Sequence, residues 1–399
     1  MKRFILYIYY FFLPCMLIAC GGSDDTPDGD NNPPVVAPPC EEPVDSRLLY
    51  NGIRLPEQWP PVRSSSSELE KGMSPFYLSD KPSVINISVG RQLFVDNFLI
   101  ESTNLKRTFY YPEYYSGNPI LTPEQDWEKT GTKGAAFAAP FSDGVWYDEK
   151  EGKYKMWYMA GGGSYATSGA GVTCYAESTD GIHWTKPTLS VVAGTNIVDY
   201  NSERDASVIW LDKQESNASK RYKMFLVARE SGKWRYHYKT SPDGKVWRAA
   251  AQSEPIADRS TVYKNPFRNV WVYSMRHNVR VDANKLVRAR DYNENTDPEA
   301  GTKKAEALLS AFWFGPWANE QHHTDYPNIA PAIYNQDATP YESIMLGFFS
   351  VWQGPENDVC ASDNVIKRNQ VMVGYSRDGY SWFREDMNPF HAVNTTTSD

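Results

Sequence analysis

One short phrase occurs three times, and it restricts the fold more than any other feature of the chain. It reads Ser178-Thr179-Asp180-Gly181-Ile182-His183-Trp184, then Ser241-Pro242-Asp243-Gly244-Lys245-Val246-Trp247, then Ser376-Arg377-Asp378-Gly379-Tyr380-Ser381-Trp382. Each copy follows a run of strand formers, at 172–177, 235–239 and 371–375. β-Branched and aromatic runs cut by Asp-Gly turns are how strands and hairpins show in a sequence. Trp184 and Trp247 stand 63 residues apart, and Trp247 and Trp382 stand 135, close to twice that. A degenerate copy is expected halfway, where Trp313 to Trp317 reads Trp-Phe-Gly-Pro-Trp. A period of about 65 residues, each holding about four strands, is what a β-propeller writes into a chain. A β-sandwich would share the Asp-Gly dipeptide, but gives no reason for a Trp in phase with it. The fold class expected is all-β.

The first unit shows strands at 144–147, 154–159 and 172–177, with a glycine-rich loop before the third. Blade two runs over about 199–247, with strands at 207–211 and 222–228. Blade three covers about 257–317 and carries a polar insert at 293–304, with a short helix expected over 303–309. Blade four begins near Asp325 and has a buried strand at 344–349. Upstream, residues 91–101 read as a strand or strand pair, in which Asp96 is either a turn residue or a site residue.

The chain opens as a targeting segment, with Lys2 and Arg3 ahead of an apolar stretch over 4–19. At 16 residues that stretch is short for a membrane span. It ends in Leu17-Ile18-Ala19-Cys20, which resembles a bacterial lipobox and implies a lipid anchor in the membrane through Cys20. The expected address is the outer membrane, exposed at the cell surface. Residues 21–45 are rich in Gly, Pro, Asp and Asn and read as a disordered tether. Residues 50–61 are too apolar for linker, and the extension over 46–86 that contains them should pack along the outside of the domain. Without residues 1–19 the chain keeps 39 Lys and Arg (41 less Lys2 and Arg3) against 49 acids, so nucleic acid is excluded as a partner class. Cys40, Cys174 and Cys360 are too scattered for a disulfide framework or a zinc site. His322-His323 reads as a solvated pair without a third metal ligand, and Gly161 to Gly163 as a loop and not a phosphate cradle. No metal and no cofactor are expected.

In a propeller the first strands of all blades meet at one axis, so a polar residue opening such a strand is a site candidate by geometry. Asp143, Asp205 and Asp258 take that place in blades one to three, and Asp325 and Asn328 are offered by blade four. Clustered carboxylates suit glycosidic cleavage: one protonated acid serves the leaving oxygen, and an ionised partner activates water or attacks carbon. Crowding separates their pKa values and so assigns the roles. Arg204, Arg259 and Arg276 either bind a sugar hydroxyl or a uronate, or neutralise the Asp cluster.

These features resemble the five-bladed propeller glycoside hydrolases of the invertase and arabinanase type, families 32 and 43, over about residues 87–399. The resemblance rests on the period, on second strands Tyr154-Lys155-Met156-Trp157-Tyr158 and Tyr222-Lys223-Met224-Phe225, and on the Ser-x-Asp-Gly-x-x-Trp endings. It implies a catalytic Asp143 as base or nucleophile and a transition-state stabiliser at Asp205 in Arg204-Asp205-Ala206, where the family has Pro after the Asp. The acid implied on blade three is not matched by a Glu there; Asp258 opens the blade, Glu254 precedes it, and Glu342 on blade four is the remaining candidate. The function expected is a cell-surface glycoside hydrolase on a carbohydrate substrate, the alternative being a non-catalytic glycan-binding lipoprotein. Five blades at this period reach about residue 450. About four are therefore expected here, with a wedge between blades one and four and low activity.

Overall fold

The computed structural model describes residues 46–64, 69, 74–88, 90–129, 136–166, 171–200, 202–282, 285–306 and 310–391. The signal segment, Cys20, the tether and Cys40 lie outside them.

Four antiparallel sheets follow one another along the chain. The first holds β1 (Ala138–Ala139), β2 (Val145–Asp148), β3 (Lys153–Ala160), β4 (Val172–Ser178) and β5 (Ile197–Asp199). β1 and β2 both pair with β3, so they form one innermost strand interrupted at 140–144. The second sheet is β6 (Glu203–Leu211), β7 (Tyr222–Glu230), β8 (Lys233–Ser241) and β9 (Arg248–Gln252). The third is β10 (Thr261–Asn265), β11 (Val270–Asp282), β12 (Lys285–Asn295) and β13 (Ala311–Phe314). The fourth is β14 (Ala332–Tyr341), β15 (Ile344–Gly354) and β16 (Arg368–Ser376). The protein is an all-β propeller with four blades among the described residues.

The repeated phrase closes three blades with one hydrogen-bond pattern. Its Ser hydroxyl accepts the Gly N–H at 2.9 Å in all three copies, from Gly181, Gly244 and Gly379. Its Asp accepts two further N–H groups, those of Ile182 and His183, Lys245 and Val246, or Tyr380 and Ser381. The glycines sit at φ between 73° and 78°, the left-handed region that a side chain strains. Blade three departs from the pattern. After β12, Asp297 accepts the N–H of Ala300 and caps helix Pro298–Lys304, with Pro298 at its first position. The insert helix therefore starts earlier than the expected 303–309, because an Asp cap followed by Pro is a helix start.

Large aromatics fill the spaces between blades. Trp146 of blade one meets Trp210 of blade two at 4.8 Å, and Trp210 meets Trp271 of blade three at 5.9 Å. Trp313 and Trp382 are fully buried in the core shared by blades three and four. The other face of blade one is covered by Leu121 and Trp127, the latter on helix Asp126–Lys129. Buried Glu128 of that helix accepts from Tyr158 and Lys186 at 2.5 and 2.8 Å.

Residues 91–101 form no strand. Asp96 accepts the N–H of Phe98 at 3.0 Å and pairs with Arg377, so the backbone turns where a ladder would have run on. The outward face of blade four, with Leu346, Phe348, Val371, Val373 and Tyr375, is only half-buried. Val145 and Tyr147 of blade one stay 47% and 43% exposed. No fifth sheet covers either face among the described residues.

Candidate functional site

Each innermost strand is irregular where it starts. Asp143 lies in the break between β1 and β2, beside Gly144 at φ 114°. A side chain on Gly144 would meet the carbonyl of Ile209 at 2.8 Å, so only glycine lets the two inner strands approach here. Asp205 lies where the β6–β7 register slips between Arg204 and Ser207. Such bulges re-aim side chains next to sites. Asp258 stands in the turn before β10. In blade four the register slips between Ile333 and Asn335, and Asp337 follows on β14.

An arginine from the next blade locks each of the first two carboxylates. Arg204 donates from Nη2 to both oxygens of Asp143 at 2.9 and 3.1 Å, and from Nη1 to Thr173. Asp143 has no exposed surface. Burial lifts its carboxyl above the usual range, against the pull of Arg204. Asp205 accepts the backbone N–H of Arg259 at 2.8 Å and faces its guanidinium at 3.3 Å. Burial lifts Asp205 as well, against Arg259. Arg276 of blade three pairs with Asp258 at 2.6 Å. Fully buried Arg290 donates to the carbonyl of Arg259 at 2.8 Å and to the Ser274 hydroxyl at 2.9 Å. It thereby steadies Arg259 at φ 57°.

The structure thus brings Asp143, Asp205, Asp258, Arg204, Arg259 and Arg276 to one end of the ring. Glu342 is elsewhere. It follows β14 in the turn to β15, at the opposite end of that strand, and accepts from the Nε and backbone N–H of Arg91 at 2.9 and 3.2 Å. Asp325 and Asn328 precede β14, which begins at Ala332. Glu254 has a salt bridge with Arg235 at 3.5 Å and is exposed. His322 and His323 bond the carbonyl of Pro327 and the N–H of Asp325. Among the described residues no group of three or more His, Cys, Asp or Glu is placed to hold a metal ion.

Blade four's contribution is Asp337, which sequence reasoning missed. Ser142 and Asn335 donate to its Oδ2 at 3.0 and 2.8 Å. It stands at the wall of a cavity of about 250 Å³ lined by residues of all four innermost strands, Trp146, Trp210 and Val262 among them, and by Val145 and Phe348 from the uncovered faces of blades one and four. That apolar surrounding pushes its carboxyl up to about 6, against the bonds from Ser142 and Asn335 and the nearby Arg290 charge; Asp143 adds to the rise. A carboxyl that keeps its proton up to about pH 6 can serve as a proton donor in mildly acidic solution.

Starting from the Arg259 that pairs with Asp205, five side chains alternate ring and cation. The Arg259 guanidinium lies 4.1 Å from the Phe141 ring and 5.0 Å from that of Tyr334. Arg288 lies 5.6 Å from Tyr334 and 4.8 Å from Trp352.

No family model and no curated protein matches the chain. Among solved structures, it is similar to a fructofuranosidase from Schwanniomyces occidentalis complexed with fructosylnystose, at 14% identity, TM-score 0.42, over 67% of this chain and 47% of that one. It is similar to the GH32 beta-fructofuranosidase of Bombyx mori at 13% identity and TM-score 0.39, over 59% and 47%. A protein of Bacteroides ovatus ATCC 8483, provisionally termed a glycoside hydrolase, gives 14% identity and TM-score 0.41 over 72% and 84%. The chain spans about half the length of the fructofuranosidases it matches, 47% in both cases.

Proposed function

We propose that the chain is a glycoside hydrolase working at the axial end of its propeller. Asp337 is the proton donor, and Asp205 or Asp258 is the ionised partner. One observation carries this reading: four carboxylates from four blades gather at one end, and one of them is pushed up to about 6. Asp143, sealed under Arg204, positions that arginine in this arrangement and does not touch the sugar. A second reading, glycan binding without turnover, is favoured by the arginine pairing of Asp143, Asp205 and Asp258.

The test is release of reducing ends from a panel of plant and host glycans. Asp337→Asn should lower turnover by about 10²- to 10⁴-fold while the fold stays intact, and so should Asp205→Asn or Asp258→Asn, whichever removes the ionised partner. Wild-type turnover should fall as pH rises through about 6, where Asp337 loses its proton. Binding to a panel glycan with no turnover at any pH selects the second reading. The lipobox-like Leu17 to Cys20 supports anchoring at the membrane. Labelled palmitate should enter the wild type and not Cys20→Ser, and equal labelling of both refutes the anchor.

A further inference from the structure

The β11–β12 hairpin is longer than the innermost strand it serves. β10 pairs with residues 270–274 only, so the hairpin beyond Ser274 projects past the end of the blade where Asp258 sits. Arg276 stands directly opposite Arg290, Asn278 opposite Arg288, and Arg280 opposite Leu286. Residues paired across strands, and those two apart along one, share a face. Arg276, Arg280, Arg288 and Arg290 therefore lie on one face, while Val279, Val287 and Ala289 are buried on the other.

Like charges directly opposite each other destabilise a strand pair, so each arginine calls for a partner that offsets the repulsion. Arg290 is used up within the blade by Ser274 and Arg259, and Arg276 faces Asp258. Arg288 is different. Its guanidinium lies between the Tyr334 and Trp352 rings, 5.6 and 4.8 Å from their centroids, and its ion pair with Glu356 is long, at 3.7 Å, to a side chain that is 56% exposed. A guanidinium is a planar fork that grips an oxyanion with two bonds, and flanking rings limit where that fork can go. One polar atom nearby points the same way: Arg276 Nε is a buried donor without a hydrogen-bond partner. Groups left so in a native fold ask for a ligand.

We propose that this ladder recognises an anionic substituent on the glycan, a uronate carboxylate or a sulfate ester, with Arg288 as the specificity-determining residue and Arg259 beside it. The inference rests on the glycan reading above but not on turnover. The experiment is calorimetric binding to the full chain. One arm compares oligogalacturonate, its methyl ester and a neutral galacto-oligosaccharide of equal length; the other compares a sulfated galactan oligosaccharide with its desulfated form. In at least one arm the anionic probe should bind ten-fold or more tightly than its neutral counterpart. Arg288→Gln should abolish that preference, and Arg288→Lys should restore part of it. Raising salt from about 50 to 500 mM should weaken wild-type binding of the anion alone, a readout that needs no variant to fold. Equal affinity for charged and neutral probes overturns the proposal. So does a preference that survives Arg288→Gln in a folded protein, and so does no binding of any anionic probe. Anion preference without hydrolysis keeps this inference and removes the hydrolase; hydrolysis of neutral glycans without preference does the reverse.

Discussion

Half-burying Asp337 beside an apolar cavity makes its ionisation unfavourable, and the sign of that effect is testable. Its folded pKa, about 6, lies above the ordinary 3.8. The folded state therefore holds the proton more tightly than the unfolded chain. The stability this gives is full below pH about 4 and is lost as pH rises through about 6. Near pH 7 the deprotonated carboxylate costs up to about 3 kcal/mol, less whatever water in the cavity screens. Asp337→Asn should therefore raise Tm at pH 7.5 by a few degrees, leave it nearly unchanged at pH 4, and still lose turnover. A lower Tm at both pH values sinks this account. The residue was hard to read because Asn335-Gln336-Asp337-Ala338-Thr339-Pro340 looks like a loop. It becomes a strand only because apolar β15 pairs with it, Asp337 lying opposite Phe348 and Thr339 opposite Leu346. Asp143, Asp205 and Asp258 could be picked out as candidates because a run of strand formers begins within three residues of each in the chain. The sequence left open whether Arg204, Arg259 and Arg276 bind sugar or neutralise these acids; the structure pairs them one to one, since only the fold sets which strand lies beside which.

Among the elements, the closing turns show how one local pattern answers to three surroundings. The His183 ring bonds Asp180 and, with the N–H groups of the turn, holds it well below the usual range. Asp243 also lies low, since the turn N–H groups outweigh its burial. Fully buried Asp378 is raised, because desolvation wins over the same N–H groups. The pattern was readable because it is made within a few residues of chain, whereas its surroundings are set by whichever blade packs on it. The glycines carry the same lesson into a measurement. Gly181→Ala meets only the Tyr154 ring at 3.9 Å, so it should cost about 1 kcal/mol, the left-handed strain alone. In Gly244→Ala the new methyl overlaps the Trp157 ring, and in Gly379→Ala the Asn265 amide. Both should cost clearly more, about 2 kcal/mol or above. Denaturant midpoints that rank Gly181→Ala as the worst of the three remove the argument.

At the scale of the whole molecule, the segment before the first blade is tied to the last one. The Asn51 side chain donates to the carbonyl of Arg377, and the Tyr111 hydroxyl donates to Asp386 at 2.5 Å. The firmest tie is Asp96 with Arg377, whose Nε lies 3.0 Å from both carboxylate oxygens and whose Nη2 lies 2.8 Å from one. Both side chains are essentially unexposed, at 0% and 1%. Arg377 occupies the variable position of the repeated turn, which holds Thr179 in blade one and Pro242 in blade two. The arginine appears in the copy whose turn the upstream segment covers. Asp96→Ala would leave a buried guanidinium without its counter-charge, a loss of about 3 to 5 kcal/mol. Replacing both partners by apolar residues of similar volume, Asp96→Leu with Arg377→Met, should recover much of that, since neither charge is then buried alone. Hydrogen exchange should show where the loss falls: in Asp96→Ala, residues 91–111 and β16 should lose protection before β6 to β9 do. Unchanged Tm in Asp96→Ala would show the tie to be incidental. Loss of protection spread evenly over all four blades would instead show that the segment supports the ring as a whole, and not blade four.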